Sequence, residues 1–159
     1  MKSLALLIVL VWQTVAQATV APSFQGETVS GERVSLNSLL KEKRALLLCF
    51  WASWCVPCIE EMRQVSEKIK AQPDLALDIV AVNVDTSETS TDVKPIIRQY
   101  HFPFPVILDP KHEIFSRYQQ EKSLPFSALI SSHGNIEHTF TGYHEEMFAE
   151  VKRIVAGGR

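Results

Sequence analysis

Ala45-Leu46-Leu47-Leu48-Cys49-Phe50-Trp51 and then, after Ala52 and Ser53, Trp54-Cys55-Val56-Pro57-Cys58 are the residues on which the fold turns. From Arg44 to Phe50 the chain is almost continuously apolar, the pattern of a central strand buried on both faces. Val56 to about Lys70 then reads as a helix, because Ile59, Met62, Val65 and Ile69 recur at spacings of three and four and make one apolar stripe. Two thiols three residues apart at the start of a helix can close into a small disulfide and reopen. The helix N-terminus carries partial positive charge and free N–H groups, which stabilise a thiolate on the first cysteine. Pro57 suits the first turn, where its missing N–H would find no intrahelical partner. The pentad therefore reads as a redox-active dithiol, with no bound cofactor beyond the Cys55–Cys58 disulfide itself.

Two plainer readings compete with that one. A structural zinc site would normally bring a second C-x-x-C or a nearby pair of histidines, and the sequence has neither. A structural disulfide closing so short a loop would add little stability to a domain of this size.

The remaining segments give an α/β order. Residues 19–25 read as an irregular lead-in, and Glu27 to Ser35 as a hairpin turning at Ser30-Gly31. A short helix is expected at Leu36 to Leu40, a strand from Leu75 to Val84, and a helix from Thr91 to Tyr100 with Pro95 in an early position. A strand at Phe104 to Leu108 and a helical turn at Glu113 to Tyr118 follow. Phe126 to Ser131 and Ile136 to Thr141 read as an antiparallel pair, and Glu145 to Val155 as a closing amphipathic helix. The chain of 159 residues, 46% hydrophobic, suits one domain and shows no internal repeat or linker.

Residues 1–18 read as an export leader rather than as part of the domain. Lys2 forms a short positive region, Leu4 to Val11 an apolar stretch, and Ala16-Gln17-Ala18 a cleavage signal. The predicted mature domain is 19–159. Loss of Lys2 takes the basic count from 16 to 15 against 18 acidic residues, so the net charge moves from −2 to −3. An uncleaved membrane anchor is the alternative, although the apolar run is short against the roughly 20 residues a spanning helix needs. The scattered basic residues exclude a nucleic-acid surface. Export places the three cysteines, Cys49, Cys55 and Cys58, in an oxidising compartment. Their clustering within ten positions marks one site, not a scaffold of stapled loops.

With these segments in hand, the chain resembles the thioredoxin superfamily, and within it the exported thiol–disulfide oxidoreductases of the TlpA/ResA type. The resemblance rests on Ala21-Pro22-Ser23-Phe24, Phe50 to Cys58, Val80 to Val84, Phe104 to Asp109, Leu124-Pro125 before Phe126 to Ile130, and Gly134 and Gly142. It implies a thioredoxin-like fold, with a central mixed β-sheet flanked by helices and an N-terminal β-hairpin extension. It implies that Cys55 is the exposed nucleophile and Cys58 the buried partner that resolves the mixed disulfide. Pro125 would be the cis-proline facing the dithiol, although a proline opening a strand is also a plain edge residue. Leu124 would offer its backbone to an extended substrate segment, and Trp54 would cover the site while Trp51 packs inward. Glu61, one turn beyond Cys58, matches an active-site glutamate that raises thiol pKa values or relays a proton. The same position also suits an ordinary solvated helix charge, the reading given to Glu60.

Cys49 and Phe126 depart from the resemblance. Many thioredoxins have a buried aspartate at the position of Cys49, so the relay assigned to that aspartate does not carry over. Cys49 reads as a small apolar core residue, with a competing disulfide to Cys58 as the sharper alternative. Phe126 stands where relatives commonly place threonine and is expected to alter the substrate groove.

The functional expectation is an exported, periplasmic or extracytoplasmic reductase of client disulfides. Apocytochrome c before haem attachment is one such client, and a membrane thiol-transfer protein would supply the electrons. A disulfide oxidase or isomerase is the same-chemistry alternative. A peroxiredoxin-type peroxidase would need proline and threonine where Leu48 and Ala52 stand. A Cu(I) carrier would exploit soft thiolates, yet such carriers on this fold typically space their cysteines by three residues. The histidines at 101, 112, 133, 138 and 144 show no ligand spacing.

Overall fold

The computed structural model describes residues 19–42 and 44–157, so the expected leader at 1–18 lies outside the described residues. Among the described residues, eight strands form one mixed sheet: β1 (Thr19–Val20), β2 (Gln25–Thr28), β3 (Arg33–Ser35), β4 (Ala45–Trp51), β5 (Leu77–Asn83), β6 (Val106–Leu108), β7 (Phe126–Ile130) and β8 (Asn135–Thr141). Their order across the sheet is β1-β8-β7-β4-β5-β6-β2-β3. Helices α1 (Leu36–Leu39), α2 (Val56–Lys70), α3 (Val93–Tyr100), α4 (Phe115–Tyr118) and α5 (Met147–Gly157) complete the domain. This is the thioredoxin-like α/β architecture, with the expected hairpin added at its N-terminal end.

The apolar run is the middle of the sheet. β4 pairs in parallel with β5 and antiparallel with β7, and six of its seven residues are buried. Side chains on a strand alternate between the two faces. On one face Phe50 stacks on Phe115 of α4 at 4.9 Å and meets Phe126 of β7 at 5.7 Å. On the other lie Cys49 and Trp51, with Trp51 edge-on to Phe102 at 6.1 Å. The Phe126 ring therefore belongs to the aromatic core. The expectation that it shapes the substrate groove is corrected here: its place opposite Phe50 in the strand register points it under α4.

Several boundaries moved for identifiable reasons. The lead-in at 19–25 contains β1, whose two residues pair with Ile136 and Asn135 of β8, and the first residue of β2. A two-residue strand has no period to read; its partner's backbone makes it. The hairpin of β2 and β3 keeps the expected turn, with Gly31 at φ +86°. It does not stand alone, since β2 also pairs antiparallel with β6. β6 is shorter than expected because Pro103 and Pro105 donate no ladder hydrogen bond, while Phe104 stacks on Phe102 at 5.4 Å. A turn of 3₁₀ helix at Ser90–Asp92 precedes α3, which starts two residues later than the sequence implies.

Asp109 fixes the turn after β6. Its carboxylate accepts from the backbone N–H groups of Glu113, Ile114 and Phe115 at 2.8 to 3.2 Å, and it is almost wholly buried. These donors open the segment that carries Phe115 into the core. Asp109→Ala strands buried donors and should lower stability by roughly 2 to 4 kcal/mol, measured by chemical denaturation, with Asp109→Asn losing less.

Candidate active site

Cys55 occupies the N-cap position of α2, with non-helical backbone angles (φ −91°, ψ 88°) and no side-chain capping bond. Pro57 falls in the first turn, as its chemistry requires. A disulfide joins Cys55 to Cys58, with 5.3 Å between their Cα atoms. Cys55 retains 6% of its surface and Cys58 1%. The first cysteine is thus the more accessible, but the open exposure expected for it is absent in the disulfide form. The exposed surface belongs to its neighbours: Trp54 is 64% exposed and Val56 74%. Trp54 stands out into solvent, adjacent in sequence to the disulfide, and Trp51 is packed inside.

A buried acid holds the loop that presents Cys55. Asp85, just beyond β5, accepts from the Ser53 N–H at 2.7 Å, the Ser53 hydroxyl at 2.6 Å and the Asn83 amide at 2.7 Å. Burial pushes its carboxyl up, but the Ser53 hydroxyl, the Thr89 side chain, the Asn83 amide and the Ser53 N–H together outweigh this and keep it below the usual carboxylate range. The Cys55 N–H in turn donates to Ala52 at 3.0 Å. Asp85 is a site residue that no sequence motif marks. Its only signal is an acid directly after a β-branched strand, where a loop would normally expose it.

The Leu124–Pro125 peptide is cis. Phe126 is paired with Phe50, so one further step in register sets Pro125 beside Trp51, at the end of β4 from which the chain turns into Cys55. The Gly142 N–H donates to the Pro125 carbonyl at 2.8 Å and ties the end of β8 to this edge. Leu124 precedes the strand and takes part in none of the turn and loop backbone bonds among the described residues.

Glu61 is not a solvated helix charge. It is 4% exposed, on the face of α2 that meets the sheet, one turn beyond Cys58. The Ser127 hydroxyl donates to Glu61 Oε1 at 2.9 Å. Burial pushes the Glu61 carboxyl up to about 7, against the weaker downward pulls of the Ser127 hydrogen bond and the nearby His144. Glu60 is the ordinary surface acid of the pair, bonded to Arg63 on the same helix. Cys49 is buried and unpaired, and burial, aided by the Glu61 charge, pushes its thiol well above the usual range. Of the histidines, His112 bonds the Val84 carbonyl at 2.8 Å and His144 the Thr141 carbonyl at 2.8 Å. Among the described residues, no group of three or more His, Cys, Asp or Glu is placed to hold a metal.

A disulfide at a helix N-terminus, beside a cis-proline loop on a thioredoxin-like sheet, defines a thiol–disulfide oxidoreductase. The chain belongs to the AhpC/TSA family, whose family model matches residues 18–139. It is 32% identical over 127 residues to the sporulation thiol–disulfide oxidoreductase A of Bacillus subtilis (strain 168), covering 79% of this chain and 74% of that one. To the thiol–disulfide oxidoreductase ResA of the same organism it is 29% identical over 147 residues, covering 92% and 79% respectively. Among solved structures it is similar to StoA from Bacillus subtilis (TM-score 0.66, 27% identity, 89% and 99% of the two chains). A thiol:disulfide interchange protein of the thioredoxin family from Chlorobium tepidum TLS is similar too (TM-score 0.72, 26% identity, 89% and 97%).

The buried acid has a thermodynamic consequence. Folded Glu61 keeps its proton up to about pH 7, whereas the unfolded residue gives it up near 4.5. Stability therefore falls as pH rises between those values, by about 3 kcal/mol in full. Glu61→Gln has no proton to lose and should be more stable than the parent protein at about pH 8 but not at about pH 4. Denaturant titrations at the two pH values measure the difference.

Proposed function

We propose that this chain is an exported reductase that passes electrons from its Cys55–Cys58 dithiol to disulfides in client proteins outside the cytoplasm. The observation that carries the exchange chemistry is the buried Glu61 carboxyl, one helical turn from Cys58, behind a dithiol whose first cysteine sits at the N-cap position of a helix. In the reduced state the uncapped N-terminus of α2 favours a thiolate on Cys55. That thiolate attacks a client sulfur, forms a mixed disulfide and releases the other client sulfur as a thiolate, which takes up a proton. Cys58 then gives its proton to the Glu61 carboxylate and attacks Cys55 Sγ. The Cys55–Cys58 disulfide forms, the second client sulfur leaves as a thiolate that takes up a proton, and two electrons have moved from protein to client, now a dithiol.

The surroundings fit a protein client. Trp54 and Val56 offer an apolar rim, and Leu124, ahead of β7, offers backbone groups to an extended segment. The reducing direction, apocytochrome c as a client, recharging by a membrane thiol-transfer protein, and export through the leader at 1–18 rest on the resemblance to the ResA type. The peroxidase reading is not favoured: Leu48 and Ala52, where proline and threonine would be needed, are buried and offer a peroxide no polar group.

The first test is the reduction potential of the Cys55–Cys58 pair on protein beginning at Thr19. A value of about −250 mV or lower supports the reductase, and one of roughly −120 to −180 mV would make it a disulfide donor or isomerase. Cys55→Ser should abolish exchange with a disulfide substrate. Cys58→Ser should instead accumulate mixed disulfides through Cys55, seen on non-reducing gels; their absence would reverse the assigned order of attack.

A further inference from the structure

We infer that Ser127 is a positioning residue for the dithiol's proton acceptor: its hydroxyl holds the Glu61 carboxyl against the sheet and sets the pH at which that carboxyl exchanges its proton. The inference rests on the reading of Glu61 as proton acceptor given above. It starts from the strand register. Ser127 of β7 and Cys49 of β4 are cross-strand partners, so their side chains share one face of the sheet. That face lies under α2, because the Ser127 hydroxyl reaches Glu61 Oε1 at 2.9 Å. Ser127 is itself buried, with 1% of its surface exposed. The hydroxyl donates its hydrogen bond to the carboxylate, with the Cys49 side chain as its other polar neighbour.

Cys49 shapes this arrangement by what it does not carry. An acid at its position would place a second negative charge beside Glu61 on the same face. A thiol held neutral by burial leaves Glu61 as the acid that titrates there. The groups facing Glu61 are Cys58 from its own helix, Cys49 from β4, Ser127 from β7, and His144 from the segment between β8 and α5. Tyr143, on that same segment, bonds Gln64 of α2 at 2.5 Å. Ser127 is the one of these whose hydrogen bond to the carboxylate is direct. A hydrogen bond to the ionised form favours that form, so Ser127 offsets part of the effect of burial and keeps the carboxyl able to ionise near neutrality.

The test uses the oxidised protein, in which neither Cys55 nor Cys58 titrates. The Glu61 carboxyl is followed by carbon NMR against pH, with Glu61→Gln identifying its signal. In Ser127→Ala the midpoint should move upward by about one pH unit or more, and Ser127→Thr should restore it. Ser127→Cys, a weaker donor, should fall between, and serves if the alanine variant does not fold. The pH profile of disulfide exchange by the reduced protein should move the same way. A midpoint unchanged in Ser127→Ala, or in Ser127→Cys where that variant stands in, would overturn the positioning role even if exchange depends on Glu61. An exchange profile unaffected by Glu61→Gln would overturn the proton-acceptor reading instead, whatever Ser127 does to the midpoint.

Discussion

The hydrogen-bonded register of β4 with its two neighbours is the constraint on which the rest of the site depends. Opposite Phe50 it sets Phe126, and so puts Pro125 at the end of the strand where the chain turns toward Cys55. Opposite Cys49 it sets Ser127, and so fixes where Glu61 finds its hydrogen bond. On the other flank, the Val84 N–H donates to the Trp51 carbonyl at 2.9 Å, which carries Asp85 under Ser53. A slip of one residue would turn every one of these side chains to the opposite face. Side-chain shape guards against it: Phe50 is fitted against Phe115 and Phe126 on one face and Trp51 against Phe102 on the other.

The surroundings of β4 hold two buried acids in opposite situations. Asp85 is buried but receives two hydrogen bonds from Ser53 and one from Asn83, and it stays ionised. Glu61 is buried with one hydrogen bond from Ser127, and its carboxyl lies near neutrality. Asp85 has the more donors and is the less deeply desolvated of the two. Asp85 is therefore a fixed negative anchor for the loop, whereas Glu61 can gain and lose a proton at ordinary pH. Stability favours the first arrangement, and only the second gives proton exchange next to the thiols.

Much of this was legible before any coordinates. The apolar run and the period of three and four after Cys55 gave β4 and α2, the latter to the residue, because patterns of that length outweigh local competition. Glu61 was found as a candidate but not resolved, since a carboxylate in the first turns of a helix is equally at home in water. Its neighbour Ser127, more than sixty residues away in sequence, decides the matter by placing a donor over it. The buried roles of Asp85 and Asp109 leave no trace in the sequence for a related reason, although Asp109 closes one of the motifs that carry the resemblance. A buried aspartate is made by the backbone N–H groups that come to it, and those donors leave no mark in residue type. Phe126 misled because its position relative to the proline suggested the groove, while strand alternation sends it inward.

The proposed chemistry asks opposite things of two sulfurs held three residues apart, and the structure separates them along the axis of α2. Cys55 sits at the N-cap, where the helix field and unpaired N–H groups favour its thiolate. Cys58 lies inside the first turn, buried, with the Glu61 carboxyl one turn further along. Burial there disfavours a thiolate, and an ionised carboxylate nearby disfavours it more. Cys58 would thus stay protonated while Cys55 attacks, and release its proton only when Glu61 can receive it. The order of the two steps would then follow from which end of one helical turn each sulfur occupies, with the carboxyl as the gate on the second.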